Sequence, residues 1–322
     1  MLHAFLIDGD GHARFISESA ELPSLAGSDV GHFWIDLHAP PEDLLAEIGK
    51  QLELDRAAIE DCLQGEQRPR VDDYDAYLMF VLYSVASVHN DMAHEPKKMT
   101  AFLGRNFLLT VHQEPIRTIS EELKRLDRNS RKLAGTTPDE FLYRLIDGMV
   151  DKFALVMNRL MDDLDELEEF SMRSDATEQV LADANGLRRR WLNLRRLAVS
   201  QRELVYPLAR GQFDHLNESL AMRFRHVQDH LTHTIELTDT FRDRLRSIHD
   251  NFHATLATRI NKTMRTLTVV ATSMLPMSLI AGIYGMNVQV WPASETQNAF
   301  WWILLAMAII GAATTFVFAR RS

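Results

Sequence analysis

The sequence predicts an α+β/α chain in consecutive parts. A mixed α/β domain occupies residues 1–130 and a long helical region 136–265. Two membrane-spanning helices, 266–284 and 299–319, are joined by a loop over 285–298. Three observations predict this. Thr266 to Tyr284 runs 19 residues without a charge, and Ala299 to Ala319 is equally uncharged. Each can cross ~30 Å of hydrocarbon at ~1.5 Å per residue. Finally, short apolar runs bounded by turn residues give way, beyond Thr136, to apolar residues spaced by three and four.

In the first part, Phe5-Leu6-Ile7 and Phe15-Ile16 flank Asp8-Gly9-Asp10-Gly11, a hairpin signal. A calcium-loop reading of that run lacks its remaining ligand positions and closing Glu, so a plain turn is expected. Phe33 to Leu37 predicts a buried strand, and Pro40-Pro41-Glu42-Asp43 opens a helix with proline in a tolerated position. Tyr77 to Tyr83 and Phe107 to Val111 predict further strands.

Thr136-Thr137-Pro138-Asp139-Glu140 is a helix start. Leu142, Leu145, Met149, Phe153, Val156, Leu160, Leu164 and Leu167 form one stripe of the helix that follows. That helix ends in an acidic run, Asp162 to Glu169. The next helix, near Glu178 to Tyr206, is basic, with Arg188, Arg189, Arg190, Arg195, Arg196 and Arg202. The opposite charges pair across two solvated helices, or the acidic tip gathers cations near a pore mouth. No Gly or Pro interrupts Gln212 to Leu275, so a third helix is free to run from water into the membrane. To Tyr284 its length would be on the order of 100 Å. Pro276 lies inside the span, where a lipid-embedded helix tolerates it.

The chain carries a formal charge of −10. After Arg265 only Glu295, Arg320 and Arg321 are charged, a net +1, which leaves −11 on residues 1–265. An acidic body disfavours nucleic acid and gathers cations. One cysteine, Cys62, excludes an internal disulfide framework and a cysteine-based zinc cluster. Met1 to Phe5 lacks a basic n-region, so no signal peptide is expected. Arg259, Lys262 and Arg265 precede the first span, Arg320 and Arg321 follow the second, and the connecting loop has no Lys or Arg. The positive-inside rule then places both termini in the cytoplasm and the loop outside.

An a/d track runs along the third helix through Asp250, Ala254, Ala257, Asn261, Met264, Thr268, Ala271, Leu275, Ser278 and Gly282. A closed coiled-coil seam wants large aliphatics there, but this track is small or polar. Small residues also permit tight helix packing in lipid. Asn261 and Asp250 gain nothing from packing alone, which favours a wet pore lining. Met264 and Leu275 then suit hydrophobic constrictions that gate by dewetting. Asn287, at the outer end of the span, offers an amide oxygen without a fixed charge. That suits an ion such as Mg2+, recognised through its hydration shell.

Ala281-Gly282-Ile283-Tyr284-Gly285-Met286-Asn287 after Leu275-Pro276 resembles the signature of the CorA family of magnesium and divalent-metal transport proteins. Ile59 to Leu63, Gln67 to Val71, Leu145-Ile146-Asp147 and Asn261 to Met264 are similar to further segments of that family. The resemblance implies a homopentamer in the cell (inner) membrane, with a funnel-shaped cytoplasmic domain and an axial pore. Gly285, Met286 and Asn287 would form the selectivity filter. Asn261, Met264, Leu267, Leu275 and Ser278 match pore positions, and Asp250 matches an acidic ring. The family puts Leu267 on the pore where the heptad count selects Thr268.

The resemblance further implies intersubunit sites at which cytosolic Mg2+ shuts the pore. Glu60 and Asp61 match one half, but the usual acidic partner is His226 here. With His230 and His233 at i+4 and i+7, it suits zinc, cobalt or nickel better than magnesium. Solvated histidines on an exposed helix are the simpler reading. Outside, Trp291 to Glu295 replaces the family's Met-Pro-Glu segment, so Glu295 would attract cations from an unusual place. The expectation is a non-enzymatic transporter of Mg2+, with Co2+ or Ni2+ as further substrates. A ZntB-like zinc transporter, with or without proton coupling, is one alternative. A membrane-anchored metal sensor is another, although a tether has no use for Asn261, Ser278 and Asn287 on one track.

Overall fold

The computed structural model describes residues 2–7, 13–16, 31–65, 67–85, 96–129, 136–173, 177–286 and 299–320. Seven strands form one sheet: β1 (Leu2–Ile7), β2 (Ala13–Ile16), β3 (His32–His38), β4 (Arg70–Asp73), β5 (Tyr77–Val85), β6 (Pro96–Gly104) and β7 (Phe107–His112). Their order is β2-β1-β3-β7-β6-β5-β4, with β3 and β7 parallel and every other neighbouring pair antiparallel. The four strands expected from Phe5, Phe33, Tyr77 and Phe107 are present. The hairpin is also formed, pairing Ile7 with Ala13, while the Asp8–Gly11 turn and its calcium-loop alternative lie outside the described residues.

Two strands and two helices had no clear sequence signal. β6 begins Pro96-Lys97-Lys98, which breaks the apolar pattern; its buried half starts only at Met99. Strand β4 is four residues long, and Val71 is its single apolar residue among Arg70, Asp72 and Asp73. Helices α1 (Glu42–Gln51) and α2 (Arg56–Leu63) connect β3 to β4, and α3 (Arg117–Asn129) leads from β7 to the long helices. In α2 the Asp55 carboxylate caps the helix by accepting from the Ala57 N–H at 2.8 Å.

Three long helices follow: α4 (Pro138–Ser171), α5 (Gln179–Ala209) and α6 (Glu218–Tyr284), then α7 (Ala299–Arg320). The start of α4 packs on the sheet through Phe141, whose ring meets those of Phe5 and Trp34 at 6.0 and 5.7 Å. On α5, Gln201 is fully buried and its Oε1 accepts from the Tyr83 N–H of β5 at 3.0 Å. Trp191 of α5 donates to the Thr238 carbonyl of α6 at 2.7 Å and stacks on Phe241. Gly211, at φ 64°, ends α5 in the left-handed conformation that glycine adopts without strain. Its N–H and that of Gln212 bond back to Leu208 and Pro207, so the final carbonyls are satisfied.

The sheet, α3, most of α4, α5 and α6 as far as Ile248 make one compact unit; residues 170–177 and 249–322 make the second. Acid and base pair across the long helices of the first unit, but sparingly. Asp163 meets Arg190 at 3.3 Å, and Arg244 of α6 meets both Asp165 and Glu168. Most arginines of α5 are therefore not neutralised by the acidic end of α4.

Candidate ion pathway and cation site

Within the second unit, α6 continues unbroken through Pro276 to Tyr284. Pro276 has no N–H, so the Thr272 carbonyl one turn earlier loses its usual helical donor. Among the described residues α6 is the one helix both long and apolar enough to cross a membrane. The apolar described stretch of α7 is Trp301–Thr314, within a helix of 22 residues.

At 100° per residue, Asp250, Asn261, Met264, Leu267, Thr268, Leu275, Ser278 and Gly282 share an arc of about 120° on α6. All eight are exposed, Met264, Leu267 and Leu275 by 56, 62 and 70%. From 261 to 286 the partly covered residues are Val269, Ser273, Pro276, Met277 and Ile280. These lie on the opposite face. The arc is broad enough to hold both Leu267 and Thr268, so the difference between heptad count and family match is one of position within a single surface.

The covered face meets α7. A Cβ placed on Gly311 would lie 2.7 Å from Met277 Cε, so the small residue allows the two helices to approach. Ile303, Met307, Ile310, Gly311 and Thr314 are the partly covered residues of α7 and recur at helical spacing. Leucine at Gly311 should therefore lower the melting temperature of the detergent-solubilised protein, while Gly282→Ala, with open space around it, should not. Equal melting temperatures for both variants would refute this packing role.

Hydroxyls on α6 donate to their own helix: Thr266 to Lys262, Thr268 to Met264, and Ser273 to Val269, at 3.0, 2.8 and 2.9 Å. With its proton spent, the Thr268 oxygen is left only as an acceptor, which suits the water shell of a cation. Gly285 closes the helix by donating to Ala281 O at 2.9 Å, and a Cβ there would stand 3.0 Å from that oxygen. Glycine fits this closing turn because a side chain would crowd a backbone atom that cannot yield. Met286 follows, 60% exposed. Asn287 and Glu295 lie outside the described residues.

The expected regulatory residues sit in the first unit with separate partners. Asp61 accepts from Gln67 Nε2 at 2.5 Å and from Arg70, while Glu60 pairs with Arg56 at 2.9 Å. His226 and His230 stand side by side on α6 with ring centroids 4.2 Å apart, and His230 Nδ1 is 3.6 Å from Asp151 on α4. One turn earlier, burial first and then the Asp151 charge raise the Asp147 carboxyl above its ordinary range, partly countered by His230 and His226. Sequence reasoning missed Asp151; its place one turn after Asp147 was the available signal. Among the described residues no three His, Cys, Asp or Glu side chains are already gathered as metal ligands. The described chain thus holds the two halves of an expected intersubunit site apart.

Residues 29–320 match the family described as CorA-like Mg2+ transporter protein. The cobalt/magnesium transport protein CorA of Thermotoga maritima is 27% identical over 280 residues, covering 87% of this chain and 79% of that one. The complete structure of the CorA magnesium transporter from Methanocaldococcus jannaschii superposes with a TM-score of 0.85 at 20% identity, over 100% of this chain and 98% of that one. The ZntB cytoplasmic domain from Vibrio parahaemolyticus matches with a TM-score of 0.66 at 14% identity, covering 80% and 98%.

Proposed function

Because the chain belongs to the CorA-like Mg2+ transporter family, we propose that this divalent-cation transporter passes Mg2+ down its electrochemical gradient through a homopentameric pore. Co2+ and Ni2+ are further substrates. The observation that carries this reading is the uncovered arc on α6. Polar and small side chains share it with three exposed large apolar ones, and the opposite face is the one covered within the chain. Five such arcs turned inward would give a wet axis, and would also bury apolar surface that a lone helix leaves open.

In this arrangement Asn287, with Gly285 and Met286, forms the outer selectivity ring, and Glu295 attracts cations towards it. Asn261, Thr268 and Ser278 line the path; Met264, Leu267 and Leu275 are apolar collars; Asp250 is an inner acidic ring. Both termini are cytoplasmic, and α6 and α7 cross the cell membrane once each. At 100 mV the potential supplies about 4.6 kcal/mol for a doubly charged ion, so no hydrolysed cofactor is needed. Uptake of Mg2+, Co2+ and Zn2+ into liposomes carrying the purified protein, with and without a pH gradient, tests the reading. A tether-type sensor would pass none of them, and flux of zinc alone would favour the zinc alternative.

A second reading concerns regulation. His226 and His230, adjacent to each other and backed by Asp151 and Asp147, favour a transition metal over Mg2+. Glu60 and Asp61 of a neighbouring copy would complete that closing site. Replacing both His226 and His230 by alanine should raise the zinc concentration that inhibits flux by roughly tenfold or more, the usual scale for losing ligand support. An unchanged midpoint would remove the histidines from the site.

A further inference from the structure

Two adjoining cavities of about 550 and 690 Å3 lie between α5 and the β5–β6 part of the sheet, sharing Tyr83, Pro96, Asn193, Arg196 and Leu197 in their walls. Their charge is opposite to that of the chain as a whole. Lys98, Arg68, Arg195 and Arg196 face Glu114 and Glu203. Arg195 is engaged with Asp239 at 3.6 Å, and Glu114 with Lys97 at 3.7 Å. Arg196 and Arg68 are exposed and have no ion pair among the described residues. The arginine-rich face of α5, which the acidic end of α4 leaves mostly unmatched, thus contributes free charge to a concave site.

Lys98 is fixed in place. Its ammonium donates to the Gln64 carbonyl, to Gly65 O at 3.3 Å and to Gln67 Oε1 at 3.4 Å. Burial lowers its pKa, a cost that an incoming anion would relieve. Cys62 adds no opposing charge, since burial pushes its thiol up to about 11. The rest of the wall is different in character: Pro96 and the exposed Leu192 form an apolar flank unsuited to a bare inorganic ion.

We propose that this cleft binds an organic diphosphate of the nucleotide class. Arg196 faces the phosphates, Lys98 and Arg68 add positive charge, and the Pro96–Leu192 flank takes the organic group. Guanidinium groups match phosphate geometry, and a cleft of this size suits a small organic ligand. The site differs from the ion path and from the His226 site, and its test involves no flux.

Calorimetry on the full-length protein in detergent, in buffer with EDTA, would use ADP and inorganic pyrophosphate as probes. Saturable ADP binding at one site per chain, tighter than pyrophosphate, is expected. Arg196→Ala should weaken it by roughly tenfold, the scale of one charged hydrogen-bonding partner. Arg189→Ala, an equal loss of charge on the same helix outside the cleft, should leave it unchanged. Absence of saturable binding would overturn the proposal. So would equal weakening by both variants, or pyrophosphate binding as tightly as ADP.

Discussion

Replacing Asn287 by alanine is expected to cut Mg2+ flux into liposomes by at least roughly tenfold, the effect of removing a ring of acceptors from a filter. A hydrated Mg2+ gives up its waters reluctantly, so the filter must hold the water shell rather than strip it. Amide oxygens accept from those waters without binding the ion so tightly that it cannot leave. In the proposed pentamer alanine would remove the side-chain acceptors at that level from all five copies together. The oligomer should persist, because Gly285 still closes the helix through its bond to Ala281. Flux equal to that of the unmodified protein, measured on intact oligomers, would remove Asn287 from the filter.

Leu275→Ser is expected to act in the opposite direction. Leu275 is 70% exposed on the uncovered arc of α6, one turn after Ala271 and immediately before Pro276. In the proposed pore a ring of leucines would narrow and dry the path, and a dry stretch is a barrier to a doubly charged ion. Serine is smaller and holds water. Basal flux at inhibitory cation concentrations should therefore rise by roughly tenfold if the collar gates by dewetting. Leu279→Ser, on the same helix and 61% exposed, provides a comparison, as it stands at the margin of the arc rather than its middle. A rise in flux for neither variant would exclude an apolar gate at this level.

The long helices were legible because their signals are long. The α4 stripe from Leu142 to Leu167 is buried at each of its eight positions, since a three-four spacing leaves little choice of face. The uncharged segments likewise fall in α6 and α7. Much of the sheet was legible where apolar runs are short and clean, as in β5, whose nine residues are all buried. β4 and the lysine-led half of β6 were not. Their pairing is imposed by β5, which aligns Val71 with Phe80 and Lys98 with Tyr83 whatever their own preference. The α2 carboxylates were found as candidate ligands; Glu60 meets Arg56 at the local i,i+4 spacing, whereas the commitment of Asp61 to Arg70 and Gln67 depends on a chain reversal that no local spacing announces.

By itself the sequence determined the long helices and the uncharged segments, that the body is acidic, and which residues of α6 share a face. Charge and periodicity are local properties, written in order along the chain. The tertiary structure decided which face of α6 stays uncovered, because that depends on where Gly311 lets α7 approach Met277. It also decided that His230, beside His226, stands near Asp151, and that Arg195 and Arg196 of α5 border a cleft. Those outcomes come from contacts between residues dozens of positions apart, whose partners are fixed only when helices and sheet pack together.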